Sequence, residues 1–336
     1  MSDETEHKNI LVLGASGTIG RAVVRALLDK GHSVTCFLRE KSGPKRAQRR
    51  GRVLKLFSGA TVRFGNVTNK ASLMQKGICG DNFDVIISCV ASRNGNPRDA
   101  WLVDCDANLN AIEAARETDV SHFILLSAIC VQKPLLQFQH AKLAAEKALT
   151  RSGLTYTIVR PTAFFKSLSG QIARLKRGKS FLLFGDGALT ACKPISDNDL
   201  ADYLASCIEN VSLHNKILPI GGPGPAISPR EQGDYLFELL RLKPKFSKIP
   251  VSLISTIIWT LDKLGRIVPS LSDKAELARI ARYYATESML VLDPETGEYD
   301  ADKTPSAGSE MLFDYYRKVV CGEATVESGD HTVFDP

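Results

Sequence analysis

Three glycines, each three residues from the next, lead from an apolar run into a helical pattern. The run is NILVL at 9–13, the glycines are Gly14, Gly17 and Gly20, and the helical pattern covers 18–30 and stops at Gly31. A turn of this kind after a buried strand confines the chain to few folds. The first glycine permits the tight turn, the second lets a ligand approach the backbone, and the third lets the helix pack close to the sheet. The helix N-terminus then presents free N–H groups and the positive end of its dipole, which suits a phosphate. The pattern predicts a dinucleotide site at Gly14, Ser16, Gly17, Thr18, Ile19 and Gly20. A merely structural turn is the competing reading.

The rest of the chain supports that fold class. Further runs rich in Val, Ile and Leu occur at 33–38, 61–64, 84–90, 122–127 and 155–159, with helical patterns between most of them, notably 100–118 and 139–151. Such alternation predicts an α/β fold, a doubly wound parallel Rossmann sheet. Beyond about residue 160 the pattern loosens, and a smaller, helix-rich C-terminal substrate lobe is expected over 161–336, after a cofactor domain over 1–160. Within it, FLLFGDGALTACKPI at 181–195 reads as two strands around Gly-Asp-Gly, a hairpin signal. Ser196 and Ser228 head helices, the second with Pro229 and Glu231 in a capping box. A helix-rich segment spans 251–286, and 293–299 is a turn.

The end of the second strand tells one dinucleotide from the other. An acidic residue there hydrogen-bonds a free ribose, whereas a cation accommodates a 2′-phosphate. Arg39 occupies the place, followed by Glu40, so NADPH is the expected cofactor. The basic stretch beyond, Lys41 to Lys55, reads mostly as a solvated loop, with Lys45 or Arg46 as helpers to Arg39. Because ligands bind at the carboxyl ends of parallel strands, Asn66 and Val67 are expected by the adenine. Cys89, Val90 and Ala91 are expected along the ribose and pyrophosphate.

Composition narrows the class further. The chain has 336 residues, 44% of them hydrophobic and 24% charged, with a net charge of +6. That is ordinary for a globular protein and too weakly basic to argue for nucleic acid. The eight cysteines have no metal or redox spacing, so buried free thiols are expected and neither metal nor flavin is. MSDETEHKN shows no signal or transit pattern, which gives a cytoplasmic location in a prokaryote or a chloroplast location for a mature eukaryotic form. The apolar stretch at 249–265 is too short and interrupted to span a bilayer, leaving peripheral membrane contact open.

After the fifth strand come Ser127 and then AICVQKPLLQFQHAKLAAEKAL. The arrangement is similar to that of the short-chain dehydrogenases, which carry a Ser there and a Tyr-x-x-x-Lys on the next helix. Lys142 matches the lysine, with Glu146 one turn on, but Phe138 stands in the tyrosine's place. Without that acid, carbonyl reduction loses its proton donor, and reduction of a polarised C=C bond fits better. A surface Lys142 paired with Glu146 is the plain alternative.

The segments SHFILLSAICVQKPLLQFQHAKL, YTIVRPTAFFKSLSGQ, LLFGDG, CKPISDNDLA, LPIGGPG, EQGDYLFELL and YYATESMLVLDPETGEY resemble the NADPH-dependent divinyl chlorophyllide a 8-vinyl-reductases, over residues 9 to about 318. The resemblance implies reduction of the 8-vinyl group of a tetrapyrrole chlorophyll precursor to ethyl, with Lys142 as the catalytic residue. It also places the nicotinamide beside Arg160, Pro161 and Thr162. Phe164 and Phe165, with Phe138, would wall a flat macrocycle or else pack the core, and Lys193 or Lys166 would meet its propionate or else be solvated. Two other readings stay open: another small-molecule C=C or quinone reductase, and a non-catalytic NADPH-sensing or assembly protein. No obligate protein partner is evident.

Overall fold

In this computed structural model the described residues are 6–39, 43, 46–92, 95–265, 268 and 270–325. The apolar runs become strands β1 (Asn9–Leu13), β2 (Ser33–Arg39), β3 (Thr61–Gly65), β4 (Val85–Ser88), β5 (His122–Leu126) and β6 (Thr155–Pro161). Three follow: β7 (Phe181–Phe184), β8 (Lys216–Ile220) and β9 (Phe246–Ile249). One sheet of seven parallel strands has the order β3-β2-β1-β4-β5-β6-β8. The chain winds outward from β1 in one direction and from β4 in the other. The carboxyl ends of those two neighbours therefore open a crevice between diverging connections.

The longer helices are α1 (Thr18–Asp29), α2 (Arg46–Leu56), α3 (Ala107–Glu117), α4 (Gln137–Thr150), α5 (Asp197–Glu209), α6 (Pro229–Leu239), α7 (Val251–Gly265), α8 (Ser270–Thr286) and α9 (Leu312–Cys321). Alternation within each strand sends side chains to two cores. Ile10 and Val12 pack with Val23 and Leu27 of α1 and Leu200 and Leu204 of α5. Leu11 and Leu13 pack on the other face with Ala111 of α3 and Leu149 of α4. A separate cluster, including Leu183, Leu236, Phe237, Leu312 and Tyr316, holds β7, α6 and α9 together. Both α5 and β8 lie past residue 160, so the later part of the chain completes the main sheet and one of its helical layers.

Three sequence expectations change here. Residues 181–195 are not a hairpin: β7 pairs in parallel with β9, and Cys192 makes only isolated bridges. Gly185 and Gly187 both have positive φ and shape the turn after β7, but the returning chain finds its partners elsewhere. The basic stretch is not wholly a loop, because residues 46–56 form α2. Arg50 of that helix lies over the Phe64 ring at 4.7 Å. Lys41 and Lys45 lie outside the described residues, as do the side chain of Arg46 and all of Glu40. The expected caps are present, with Ser196 accepting from the Asp199 N–H at 3.0 Å and Ser228 and Glu231 closing a capping box. All eight cysteines are free, and Cys79 and Cys321 are exposed rather than buried. Among the described residues no helix is long and apolar enough to cross a membrane.

One buried histidine gives the fold a measurable pH dependence. The Thr157 hydroxyl donates to the Leu213 carbonyl at 3.1 Å. It can therefore only accept from His122 Nε2, which is 2.9 Å away. His122 Nδ1 has no partner. A proton there would add an uncompensated buried charge beside the His214 ring, whose centroid is 4.3 Å off. Burial first, and then His214, bring the His122 pKa down to about 4. Between roughly pH 6.5 and 4 only the unfolded chain takes this proton, so stability is full above that window and falls as pH drops through it. Denaturant titrations of the wild type and of His122→Gln should differ in slope over this window. Removing the titration should spare up to about 3 kcal/mol of acid loss. Parallel curves for the two proteins would show that His122 does not titrate in this way.

Candidate active site

The crevice at the carboxyl ends of the central strands is a cavity of about 400 Å³. Gly17, Thr18, Ile19 and Gly20 form one wall, Cys89, Val90 and Ala91 the next, and Ser127, Pro161 and Thr162 follow. The structure thus brings together residues predicted from four separate segments. Lys142 and Phe138 of α4 and Phe164 after β6 face the same space.

The three glycines do different work. Gly14 has φ +76°, and a Cβ on it would lie 2.5 Å from the Cys89 carbonyl oxygen, so here the turn presses on the neighbouring strand's end. A Cβ on Gly20 would lie 2.3 Å from the Gly14 oxygen, which fixes how closely α1 meets the turn. A Cβ on Gly17 would meet only the Gly14 oxygen, at an ordinary 3.4 Å. The protein itself leaves room at Gly17, on the cavity wall at the start of α1. No acidic residue occupies the first turn of that helix and no side chain caps it. An open backbone facing a helix N-terminus fits a dinucleotide's diphosphate.

Other predicted cofactor positions lie along the strand ends outside this cavity. Arg39 closes β2, exposed and in register with Gly65 of β3. Ser16 is exposed on the turn. The Asn66 side chain accepts from the Thr68 N–H at 3.1 Å and shapes the loop after β3. The Val67 carbonyl accepts from Asn110 Nδ2 at 3.1 Å, and its side chain packs on the core.

Lys142 is not a surface residue paired with Glu146. Its Nζ lies 2.9 Å from Asp104 Oδ1, the side chains being 12% and 1% exposed. Asp104 sits in a π-helical turn, Trp101–Asp106, where the sequence suggested plain α-helix. The wider turn places the carboxylate below the cavity, within 3.4 Å of the Ser92 N–H. Glu146 serves a different group, accepting from the Ser127 hydroxyl and from Arg160. Two buried polar chains therefore floor the site, one from Lys142 to Asp104 and one from Ser127 through Glu146 to Arg160.

Two expected substrate contacts are corrected. Phe165 is 4% exposed and packs in the core beside Tyr315, with ring centroids 5.5 Å apart. Lys193 turns away and donates to the Thr304 carbonyl at 3.1 Å. Of the two lysines expected at the propionate, Lys166 faces the cavity, where its ammonium donates to the Thr18 hydroxyl at the start of α1. The sequence reading passed over Asp104, Cys130, Phe181, Phe184 and Tyr284, all of which line the cavity. Only the segments that carry Cys130, Phe184 and Tyr284 stood out in the sequence, as parts of longer family-like stretches.

Replacement of Gly17 by Val should leave the ligand-free fold intact, with a melting temperature within about 2 °C of the wild type. It should also abolish the stabilisation that saturating NADPH gives, on the order of 2–3 kcal/mol at a hundredfold excess over Kd. Gly20→Ala should lower the melting temperature with no ligand present. Thermal melts of both variants with and without NADPH check this, and an intact ligand shift in Gly17→Val would make the turn purely structural.

Comparison with known proteins agrees with the geometry. The NAD(P)H-binding family model matches residues 14–211. The chain is 48% identical to the chloroplastic divinyl chlorophyllide a 8-vinyl-reductase of Arabidopsis thaliana over 320 residues, covering 93% of this chain and 76% of that protein. It is 28% identical to the photosystem II assembly factor Ycf39 of a Synechocystis strain, over 63% of this chain and 62% of that one. Among solved structures, the Bordetella bronchiseptica enzyme WbmG in complex with NAD superposes with a TM-score of 0.69 at 15% identity, covering 98% of each chain. That likeness shows the shared Rossmann fold. The phosphate-binding turn, the strand order and the extent of identity together make this chain a member of the divinyl chlorophyllide a 8-vinyl-reductase family, a nicotinamide-cofactor-binding oxidoreductase.

Proposed function

We propose that this chain reduces the 8-vinyl group of divinyl chlorophyllide a, or a close divinyl tetrapyrrole, to ethyl with NADPH. The observation that carries the reading is the pairing of Phe138 with Lys142. The lysine keeps its place beside the cofactor wall, while a ring only 8% exposed fills the site of the usual acid. That position lacks the phenol that protonates a carbonyl oxygen, while the lysine that would meet the nicotinamide end is kept. Reaction at carbon suits that set of groups. The identity to the Arabidopsis reductase, which extends well past the Rossmann core, supports the choice of substrate. The weaker and shorter match to an assembly factor gives the non-catalytic reading less support.

Bound in this crevice, the reduced nicotinamide supplies a hydride equivalent. The chain's own residues bind, orient and shield. The N–H groups at the start of α1 receive the diphosphate, and Lys166 adds a positive charge at the same end. Arg39 receives the 2′-phosphate at the end of β2 with its planar fork. The Lys142 ammonium, fixed by Asp104, holds the nicotinamide ribose and orients the reacting face. Phe164 from the first half and Phe181, Phe184, Ile227 and Met289 from the second supply the apolar wall that a macrocycle needs.

Purified protein incubated with NADPH and divinyl chlorophyllide a should yield the monovinyl pigment on chromatographic separation, with NADH a poor substitute. Arg39→Ala should weaken NADPH binding by about 10- to 100-fold, the worth of a charge-assisted contact, and leave NADH binding within about twofold. No monovinyl product would refute the assignment. Equal use of both cofactors by the wild type would refute the role of Arg39.

A further inference from the structure

We propose that Tyr284 protonates the substrate, its phenol entering the cavity from α8 in place of the one missing at Phe138. The inference rests on the vinyl-reductase reading. Among the described residues that face the cavity, Tyr284 brings the one phenol. It follows Tyr283, and the pair divides two tasks. Tyr283 is 4% exposed, and its hydroxyl donates to the Cys130 carbonyl at 2.8 Å. Tyr284 lines the cavity and is 42% exposed as a residue while its hydroxyl is buried, and its ring stands perpendicular to that of Tyr283 at 5.7 Å. Ala281 and Ala285, its neighbours on the same helix, face the cavity too and leave space around it.

The phenol neighbours the buried Cys130 thiol. Cys130 lies in the short turn after β5, three residues past Ser127, and its carbonyl is held by both Tyr283 and Gln139. Cys130, Lys142 and Tyr284 all line the cavity, so the thiol, the ammonium and the phenol share that space beside the cofactor wall. Burial, and next the Cys130 thiol, push the Tyr284 phenol well above its usual value, so it carries its proton at neutral pH.

Two hydroxyls of the cofactor wall are committed elsewhere. The Ser127 hydroxyl donates to Glu146 and the Thr162 hydroxyl to the Lys193 carbonyl. The Lys142 ammonium is engaged with the 1%-exposed Asp104 carboxylate at 2.9 Å. Lys142 therefore orients, and Tyr284 gives the proton. In the step itself, hydride adds to the terminal vinyl carbon and the C=C electron pair moves to the internal carbon, where the conjugated ring spreads the charge. The Tyr284 O–H bond then breaks and its proton forms the new C–H bond at that internal carbon. The transient phenolate, near the Lys142 ammonium, regains a proton from solvent water. The balance is one C=C, one hydride and one proton in, and one ethyl group out.

Tyr284→Phe keeps the ring and removes only the hydroxyl. The wild type is assayed first, since its failure to reduce the vinyl group would overturn the parent reading instead. In an active protein, Tyr284→Phe should lower kcat by about 100-fold or more, the usual worth of a general acid. NADPH and pigment affinities, read by fluorescence titration, should stay within about twofold, and the solvent deuterium isotope effect on kcat should rise as protonation becomes limiting. Lys142→Met should instead weaken NADPH binding. An unchanged kcat in Tyr284→Phe would overturn the proposal. So would a loss of pigment affinity large enough to account for the lost rate, because Tyr284 would then be a packing residue.

Discussion

The ammonium of Lys142 and the carboxylate of Asp104 meet 2.9 Å apart, almost out of contact with solvent. Taking such a pair out of water costs several kcal/mol per ion before the mutual attraction is counted. Stability alone is a weak reason to keep it. Its position gives a better one, since both residues line the cavity at the carboxyl ends of the central strands. Asn108 donates to the Asp104 carbonyl at 2.9 Å and accepts from the Ser88 hydroxyl at 2.6 Å, so the pair is tied back to the end of β4. A flexible lysine is thereby held in one place. Glu146 does the same for Ser127 and Arg160 on the neighbouring strands. The site's polar floor is a set of mutually satisfied groups, and each fixes its neighbour's geometry.

The parts around that floor follow from simpler constraints. Two close backbone approaches, at Gly14 and Gly20, set α1 against the sheet and leave its N-terminus facing the cavity. Alternating apolar residues in β1 bind both helical layers, which keeps the strand ends rigid. The second half of the chain closes the crevice with β7, α8 and the loops between them. Its contribution is mostly apolar, apart from Tyr284 and a few other polar groups. The cavity thus has a charged and polar side suited to a dinucleotide and an aromatic, aliphatic side suited to a flat pigment.

Local signals in the sequence carried the fold a long way. Buried parallel strands such as Ile10–Leu13 and Val85–Ser88 are continuous apolar runs, and the glycine turn has a spacing few other structures use. The strand Lys216–Ile220 escaped notice because it lies at the sheet edge, is half-exposed, and contains Pro219. The Gly-Asp-Gly at 185–187 suggested a hairpin, but β7 finds its partner more than 60 residues away. The same distance effect hid much of the site. Lys142 was legible from its spacing to Phe138, whereas Asp104 and Tyr284 reach it only through tertiary packing. No local pattern distinguishes the cavity-facing Tyr284 from the buried Tyr283 beside it.

A double-mutant cycle on cofactor binding tests the central claim most directly, which is that Asp104 and Lys142 act as one unit holding the nicotinamide end. NADPH dissociation constants would be measured by fluorescence for the wild type, Asp104→Asn, Lys142→Met and the double variant. The account predicts that each single change weakens binding by about tenfold or more and that the double variant is little worse than either, a coupling of at least about 1 kcal/mol. Additive losses, or single variants that bind NADPH as the wild type does, would contradict it.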